Sequence, residues 1–239
     1  MPNKPFYFKQ FKIEQDRCAM KIGTDGVLLG AWAPIKNTES ILDIGTGTGI
    51  IALMMAQRSE AMLIDALEID EDAYEQSVDN FENSDWGDRL FCYHAEFDEF
   101  VEEMKDEEKY DLIISNPPFY GPEFKTTSEA RDKARFQDAL PFDLLLGGSS
   151  KLLADRGTLS IIIPSDAEAS LLKIAENFKL HPSKITYVKG NSKSKVKRCL
   201  INFKFKVDSL EKDELIIETE RHLYTEDYKN LVKDFYLKM

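Results

Sequence analysis

Apolar residues in this chain come in short runs that end in glycine, asparagine or an acid, separated by stretches where they recur every three or four positions. The first run, "ESILDIGTG" (39–47), reads as a strand ending in glycines, and "IIALMMAQR" (50–58) as a helix with Ile51, Met54 and Met55 on one side. "MLIDALEID" predicts a second strand and "EDAYEQSVDNF" the helix after it; "RLFCYHA" is a third strand and "YDLIISN" a fourth. Strands alternating with helices imply a parallel, doubly wound sheet with right-handed crossovers. Beyond the fourth strand, "DALPFDLLLGGSSKLL" predicts a helix entered near Pro141 and broken at Gly147 and Gly148, leading to the strand "GTLSIIIP". The helix "DAEASLLKIAENF" follows, then "KLHPSKITYVKG" and "KRCLINFKFKV", two strands joined by the polar "GNSKSK" as an antiparallel hairpin at a sheet edge. The C-terminal "YTEDYKNLVKDFYL" is expected to be helical, docking through Tyr228, Leu231, Val232 and Phe235. The expected fold is α/β, with a doubly wound, mostly parallel seven-stranded sheet and an antiparallel edge hairpin.

Composition narrows the class. With 239 residues the chain is long enough for one α/β domain with decorations, so residues 1–239 are expected to form a single domain. Hydrophobic residues make up 43% and aromatic residues 11%, and no window approaches ~18 uninterrupted apolar residues, which argues against a membrane protein. The N-terminus shows no apolar signal region, so the expected compartment is the cytoplasm. Cys18, Cys92 and Cys199 are widely spaced and odd in number, which disfavours a disulfide framework and a zinc site; no metal is expected. A formal charge of −12 disfavours non-specific coating of nucleic acid but leaves room for a local basic surface. The acidic excess in "EFDEFVEEMKDEEKYD" (96–111) reads as a solvated amphipathic helix with Phe97, Phe100, Val101 and Met104 facing inward.

Chemistry begins at "LDIGTGTGI". The loop follows a strand and opens a helix, where backbone N–H groups face a ligand. Gly45, Gly47 and Gly49 give G-x-G-x-G, not the G-x-G-x-x-G of a dinucleotide site, and Asp43 lies two residues upstream. Glu68, ending the second strand, lies where a carboxylate can accept both hydroxyls of a ribose. This combination resembles the class I S-adenosylmethionine-dependent methyltransferases. The resemblance implies that Asp43, Gly45 and Gly47 line the cofactor, Glu68 holds the ribose, Ile69 packs on the adenine and Glu96 lies near the adenine amine. That family usually shows Gly-Asp where this chain has Ala95-Glu96, which shifts weight to the backbone there.

"NPPF", Asn116 to Phe119, ends the fourth strand, where open α/β sheets place their ligands. The residue types suit methyl transfer to a planar, conjugated amine, whose lone pair is delocalised. The Asn116 side-chain oxygen and the Pro117 carbonyl can accept from one NH₂, orient its nitrogen and stabilise the charge that develops on it. The prolines hold that carbonyl in place. Phe119 can stack on a flat substrate, a contact worth on the order of 1–3 kcal/mol per base, and Tyr120 can shape the pocket. No strong base is required, since the proton becomes acidic only after attack. The motif does not distinguish adenine from a glutamine side-chain amide.

A closer resemblance runs almost end to end. "FKQFKIEQDRCAMKIGTDGVLLGAW" (8–32), "NPPFY", "ARFQDALPFDLLL", "SIIIP" and "YTEDYKNLVKDFYLKM" together resemble the bacterial tRNA adenine-N6 methyltransferases that modify the adenosine just 3′ of the anticodon in valine tRNA. It implies that residues 1–39 cover the cofactor pocket of a core spanning 40–239, with Lys21, Thr24 and Asp25 at the cofactor or the target base. Read on its own, "GTDG" is a turn with Asp25 as its hydrogen-bonding residue. The implied partner is tRNA, with neither membrane nor metal, and the chain is expected to act as a monomer. Two positive stretches are candidates to meet it. "KGNSKSKVKR" carries Lys189, Lys193, Lys195, Lys197 and Arg198 with no acid; the segment with Lys125, Arg131, Lys133 and Arg135 is diluted by Glu123, Glu129, Asp132 and Asp138. Two other functions share this logic. Protein glutamine-N5 methyltransferases use the same NPPF chemistry but usually carry a helical N-terminal domain, for which residues 1–39 are too short. A non-catalytic cofactor- or RNA-binding factor would not need an intact NPPF.

Overall fold

Strands buried on both faces read as near-continuous apolar runs, and here "LIIS" and "SIII" are such runs in the middle of the molecule. The computed structural model describes residues 4–118 and 140–239. Its elements are β1 (Phe6–Tyr7), β2 (Lys12–Ile13), α1 (Thr24–Trp32), β3 (Ser40–Ile44), α2 (Ile50–Arg58), β4 (Leu63–Glu68), α3 (Glu71–Glu82), β5 (Leu90–His94), α4 (Phe97–Met104) and β6 (Tyr110–Ser115). There follow α5 (Phe142–Leu152), β7 (Leu153–Pro164), a 3₁₀ turn (Ser165–Ala167), α6 (Glu168–Asn177), β8 (His181–Asn191), β9 (Val196–Lys204), β10 (Glu211–Glu220), β11 (Leu223–Tyr224) and α7 (Glu226–Val232). Among the described residues nine strands form one sheet in the order β11-β10-β8-β9-β7-β6-β3-β4-β5, and β1 pairs with β2 separately. Only β9 and β11 run against the rest.

Period-two alternation sends Ile41, Ile64, Leu112 and Ile114 into one core, with α1, α2, Phe81 and α7, and sends Leu42, Ile113, Ile161 and Ile163 into the other, with α4, α5 and α6. Phe97, Phe100 and Val101 are buried as the acidic helix pattern predicts. Every residue of α2 from Ile50 to Ala56 is buried, because α1 covers the side turned away from the sheet. The termini meet: Phe8 bridges to Tyr236, the Lys9 N–H donates to the Phe235 carbonyl at 2.8 Å, and Phe6, Phe8, Phe11 and Tyr236 form an aromatic cluster.

The structure departs from the expectations in four places. The seven expected strands are joined by β10, parallel to β8, and by β11 beyond it, so the β8–β9 hairpin is flanked on its outer side. β10 is acid-rich, and its neighbour supplies the matching charge: Lys184 pairs with Asp213 at 3.0 Å and Lys189 with Glu214 at 2.5 Å. Helix α5 runs unbroken through Gly147 and Gly148. There glycine serves close packing, since a Cβ at Gly147 would meet the Phe178 ring at 2.9 Å and one at Gly148 the Phe97 ring at 2.4 Å. "GTDG" is not a turn, because Thr24, Asp25 and Gly26 form the first turn of α1 behind the N-cap Gly23. Helix α7 stops at Val232, so Phe235 is buried from the segment that follows it.

Candidate active site

β3 pairs with β4 on one side and β6 on the other, so consecutive crossovers diverge between β3 and β6. Such a divergence, at the carboxyl ends of the strands, is where open α/β sheets usually bind their ligands. Ile44 is in register with Ser115, so Gly45 and Asn116 leave the sheet side by side, on strands about 4.8 Å apart. The Ser115 hydroxyl donates to the Ile44 carbonyl at 2.9 Å and ties the two strand ends together.

The loop after β3 is held from three directions. From above the strands, the Gly45 and Thr46 N–H groups both donate to the Leu67 carbonyl, at 3.0 and 2.9 Å. From below, Asp43 is fully buried, and its Oδ2 accepts from the Thr46 hydroxyl at 2.6 Å and the Ala52 N–H at 3.2 Å. Its other oxygen, Oδ1, has no partner among the described residues. Burial pushes this carboxyl up to about 7. From the side, Glu68 Oε2 accepts from the Gly47 N–H at 2.8 Å, while Oε1 accepts from Ile69 N–H and Asp70 N–H at 2.9 and 3.0 Å. Gly45, Gly47 and Gly49 have φ of 71°, 58° and 80°, a region that costs side-chain-bearing residues about 1–2 kcal/mol. At Gly49 a Cβ would also strike the Phe81 ring at 2.5 Å, whereas at Gly45 and Gly47 it would meet no atom of the described residues within 4 Å.

Among the described residues the loop therefore faces open space, bounded by a carboxylate. Beyond it Ile69 is 49% exposed, an apolar side chain left for a flat partner. His94 Nε2 bonds the Ile69 carbonyl at 2.9 Å. Glu96, exposed, is the N-cap of α4 and makes no side-chain cap bond there. This set fits a nucleoside-bearing cofactor: glycines that leave room, an acceptor for hydroxyls and an apolar surface for a base.

The chain before α1 closes over the same area. Cys18 is buried, and that burial, followed by the nearby charges of Glu68 and Asp70, pushes its thiol up to about 12. Lys21 Nζ donates to the carbonyls of Gln15 and Cys18, the latter at 3.0 Å, so it stitches this segment together. Thr24, exposed, opens α1. Asp25 Oδ2 accepts from Arg198 Nε at 2.7 Å, so two residues expected to contact different ligands pair with each other. Asn116 is half-buried, and its Nδ2 would lie 3.9 Å from a Cβ placed on Gly26, which brings the first turn of α1 up to the strand-end motif. Pro117 is buried beside it. Phe119, Tyr120 and the positive stretch at 125–135 lie outside the described residues.

On the hairpin, β8 ends and β9 begins at the same edge of the sheet as Gly45 and Asn116, because Pro164 of β7 is in register with Arg198. Lys193, Lys195 and Lys197 are exposed there and make no ion pair among the described residues. Lys189 is instead held by Glu214. The pattern of the sequence did not point to Gln76 and Asn80, which are 1% and 3% exposed on α3 and reach toward the covering segment and the glycine loop. Their signal is a pair of amides one turn apart on the face that also carries Ala73, Ser77 and Phe81. Among the described residues no helix is long and apolar enough to cross a membrane, and no His, Cys, Asp or Glu cluster could hold a metal.

Residues 23–196 match the family described as Methyltransferase small domain. A protein of Christiangramia forsetii named tRNA1(Val) (adenine(37)-N6)-methyltransferase is 65% identical over 240 residues, covering 100% of both chains. One of the same name from Flavobacterium johnsoniae is 60% identical, over 98% of this chain and 100% of its own. Among solved structures, a predicted O-methyltransferase from Agrobacterium tumefaciens superposes with a TM-score of 0.69 at 20% identity, covering 88% of this chain and 96% of its own. That likeness concerns the fold. S-adenosylmethionine is the cofactor of these families, and the glycine cradle, Glu68 and Ile69 fit it. The chain belongs to the Methyltransferase small domain family and, within it, to the tRNA1(Val) (adenine(37)-N6)-methyltransferases.

Proposed function

We propose that this protein, acting in the cytoplasm as a monomer and as one methyltransferase domain over residues 1–239, methylates N6 of adenosine 37 in tRNA1(Val). The observation that supports the reading is the side-by-side exit of Gly45 and Asn116 from the sheet, which puts the glycine loop next to the strand-end Asn-Pro.

S-adenosylmethionine, when bound, supplies a methyl group made electrophilic by its sulfonium. Gly45 and Gly47 give it room, Glu68 accepts from its ribose hydroxyls, Ile69 packs on its adenine, and the Glu96 backbone closes that end. Residues 1–39 cover it, with Thr24 and Asp25 nearest. Asn116 Oδ1 and the Pro117 carbonyl accept the two N–H groups of the target amine. They turn its nitrogen into line and stabilise the positive charge that grows there, in a site partly shielded from water. No side chain need take a proton beforehand, because the nitrogen becomes acidic only once it is charged. Stacking on the target base is assigned to Phe119, and further contacts with it to Tyr120 and Lys21. Lys193, Lys195, Lys197 and Arg198 meet the phosphates. A loop adenosine is already partly unstacked, so bringing it into the site costs less than flipping a duplex base.

The test is methylation of total unmodified tRNA with labelled cofactor, followed by nucleoside analysis, with a peptide-release factor offered in parallel. The expected product is N6-methyladenosine in valine tRNA. Label on a glutamine of the protein substrate, with none in RNA, would replace this reading with glutamine methylation.

A further inference from the structure

Helix α3 turns a polar face toward the body of the molecule. Asn80, 3% exposed, makes three hydrogen bonds: its Oδ1 accepts from the Glu14 N–H at 2.9 Å, and its Nδ2 donates to the carbonyls of Glu14 and Thr48, each at 2.9 Å. Both donors and the acceptor of the amide are thus engaged. One turn earlier Gln76, 1% exposed, accepts from the Arg17 N–H at 3.0 Å. Glu14 and Arg17 begin the stretch that continues through Cys18, beside Glu68, and Lys21 into α1. Thr48 belongs to the glycine loop. The same segment is closed on itself by Gln15, whose Oε1 accepts from the Ile22 N–H at 3.0 Å.

We infer that Asn80, supported by Gln76, is a positioning residue for the cofactor: it fixes the covering segment and the glycine loop in one register, so that both walls of the cofactor site are set by a single amide. The inference rests on the glycine loop being the cofactor site. A buried amide suits the task because any shift of either wall leaves one of its polar atoms unsatisfied, which costs about 1–3 kcal/mol. Apolar packing slides more easily. The extended residues around Glu14 also have few strand partners of their own, since β2 ends at Ile13. Their backbone groups are paired by side chains instead.

The test compares the parent with Asn80→Leu, which keeps the volume and removes the hydrogen bonds, and with Gln76→Met. S-adenosylhomocysteine affinity is measured by calorimetry, and amide exchange is followed at Glu14 and Arg17. Expected for Asn80→Leu are a weakening of S-adenosylhomocysteine binding by about ten-fold or more, faster exchange at Glu14 and Arg17, and tRNA affinity within about two-fold of the parent. Turnover at saturating cofactor should stay within about three-fold, so the loss appears in KM and not in kcat. A role limited to global stability would lower the folded fraction and melting temperature while leaving the affinity of the folded protein unchanged, and that result overturns the inference. Should Asn80→Leu not fold, Gln76→Met decides: parental S-adenosylhomocysteine affinity with faster exchange at Arg17 would overturn it as well. If Glu68→Gln and Gly47→Val bind S-adenosylhomocysteine as well as the parent does, the site reading itself fails. If those two lose affinity and Asn80→Leu does not, only the role of Asn80 fails.

Discussion

The carboxyl ends of β3, β4 and β6 and the tip of the β8–β9 hairpin lie along one edge of the sheet, yet they are built on opposite terms. At the first, the polar groups of the loop are tied down: Glu68 takes three backbone N–H groups, Asp43 Oδ2 two hydrogen bonds, and Ser115 ties one strand end to the next. At the second, the backbone turn is closed by Asn191 and Ser194, while Lys193, Lys195 and Lys197 are exposed and make no ion pair among the described residues. A small cofactor and one amine must be held to a fraction of an ångström, which rewards a preorganised site. Phosphates along a flexible chain reward charge that can follow them, and a long, exposed lysine side chain can do that.

The strongest attempt to break the contrast is Asn116→Ala. It should lower kcat about 100-fold or more, the scale of losing one group that stabilises transition-state charge, with S-adenosylhomocysteine affinity within about two-fold. Equal losses in both, measured by steady-state kinetics and calorimetry, would show that Asn116 shapes the cofactor site instead. Glu68→Gln comes next. An amide cannot accept from Gly47, Ile69 and Asp70 together without turning its NH₂ toward one of them, so cofactor affinity should fall by roughly ten-fold or more while tRNA affinity is kept. Replacing Lys193, Lys195 and Lys197 by alanine should do the reverse. It should weaken tRNA binding, reduce the slope of log K against log salt by about 2, and leave cofactor binding unchanged.

The smallest effect sharpens the contrast through pH. The Asp43 carboxyl, ordinarily near 3.8, is raised to about 7 by burial, so the native protein keeps a proton that the unfolded chain releases between those values. Stability from this residue is present at low pH and falls as pH rises from about 4 to about 7, with no further change above. Asp43→Asn should therefore show a shallower loss of melting temperature over that window than the parent. Parallel curves would mean that the buried carboxyl does not titrate there.

Local features of the site were legible because each is written in a few adjacent residues. "LDIGTGTGI", Glu68 at the end of "ALE" and "NPP" after "LIIS" announce strand, turn and functional group together, and the structure brings them to one edge of the sheet. What the sequence hid depends on partners distant along the chain. Asn80 reads as an ordinary polar residue of an amphipathic helix until Glu14, 66 residues earlier, is seen to need its amide. β10 is acid-rich enough to pass for a loop until Lys184 and Lys189 of β8 lie beside it. Gly147 and Gly148 look like a helix break, and only the Phe178 and Phe97 rings show that they are contact points. Asp25 and Arg198 each looked like a ligand contact, and their ion pair is visible only across 173 residues.

The central claim is that one amine, on one base, is presented to Asn116 and Pro117. Two valine-tRNA transcripts that differ only at position 37, one with adenosine and one with guanosine, test it directly when each is incubated with the protein and labelled S-adenosylmethionine. The expected products are N6-methyladenosine in the first and no label in the second. Equal labelling of both transcripts would contradict it.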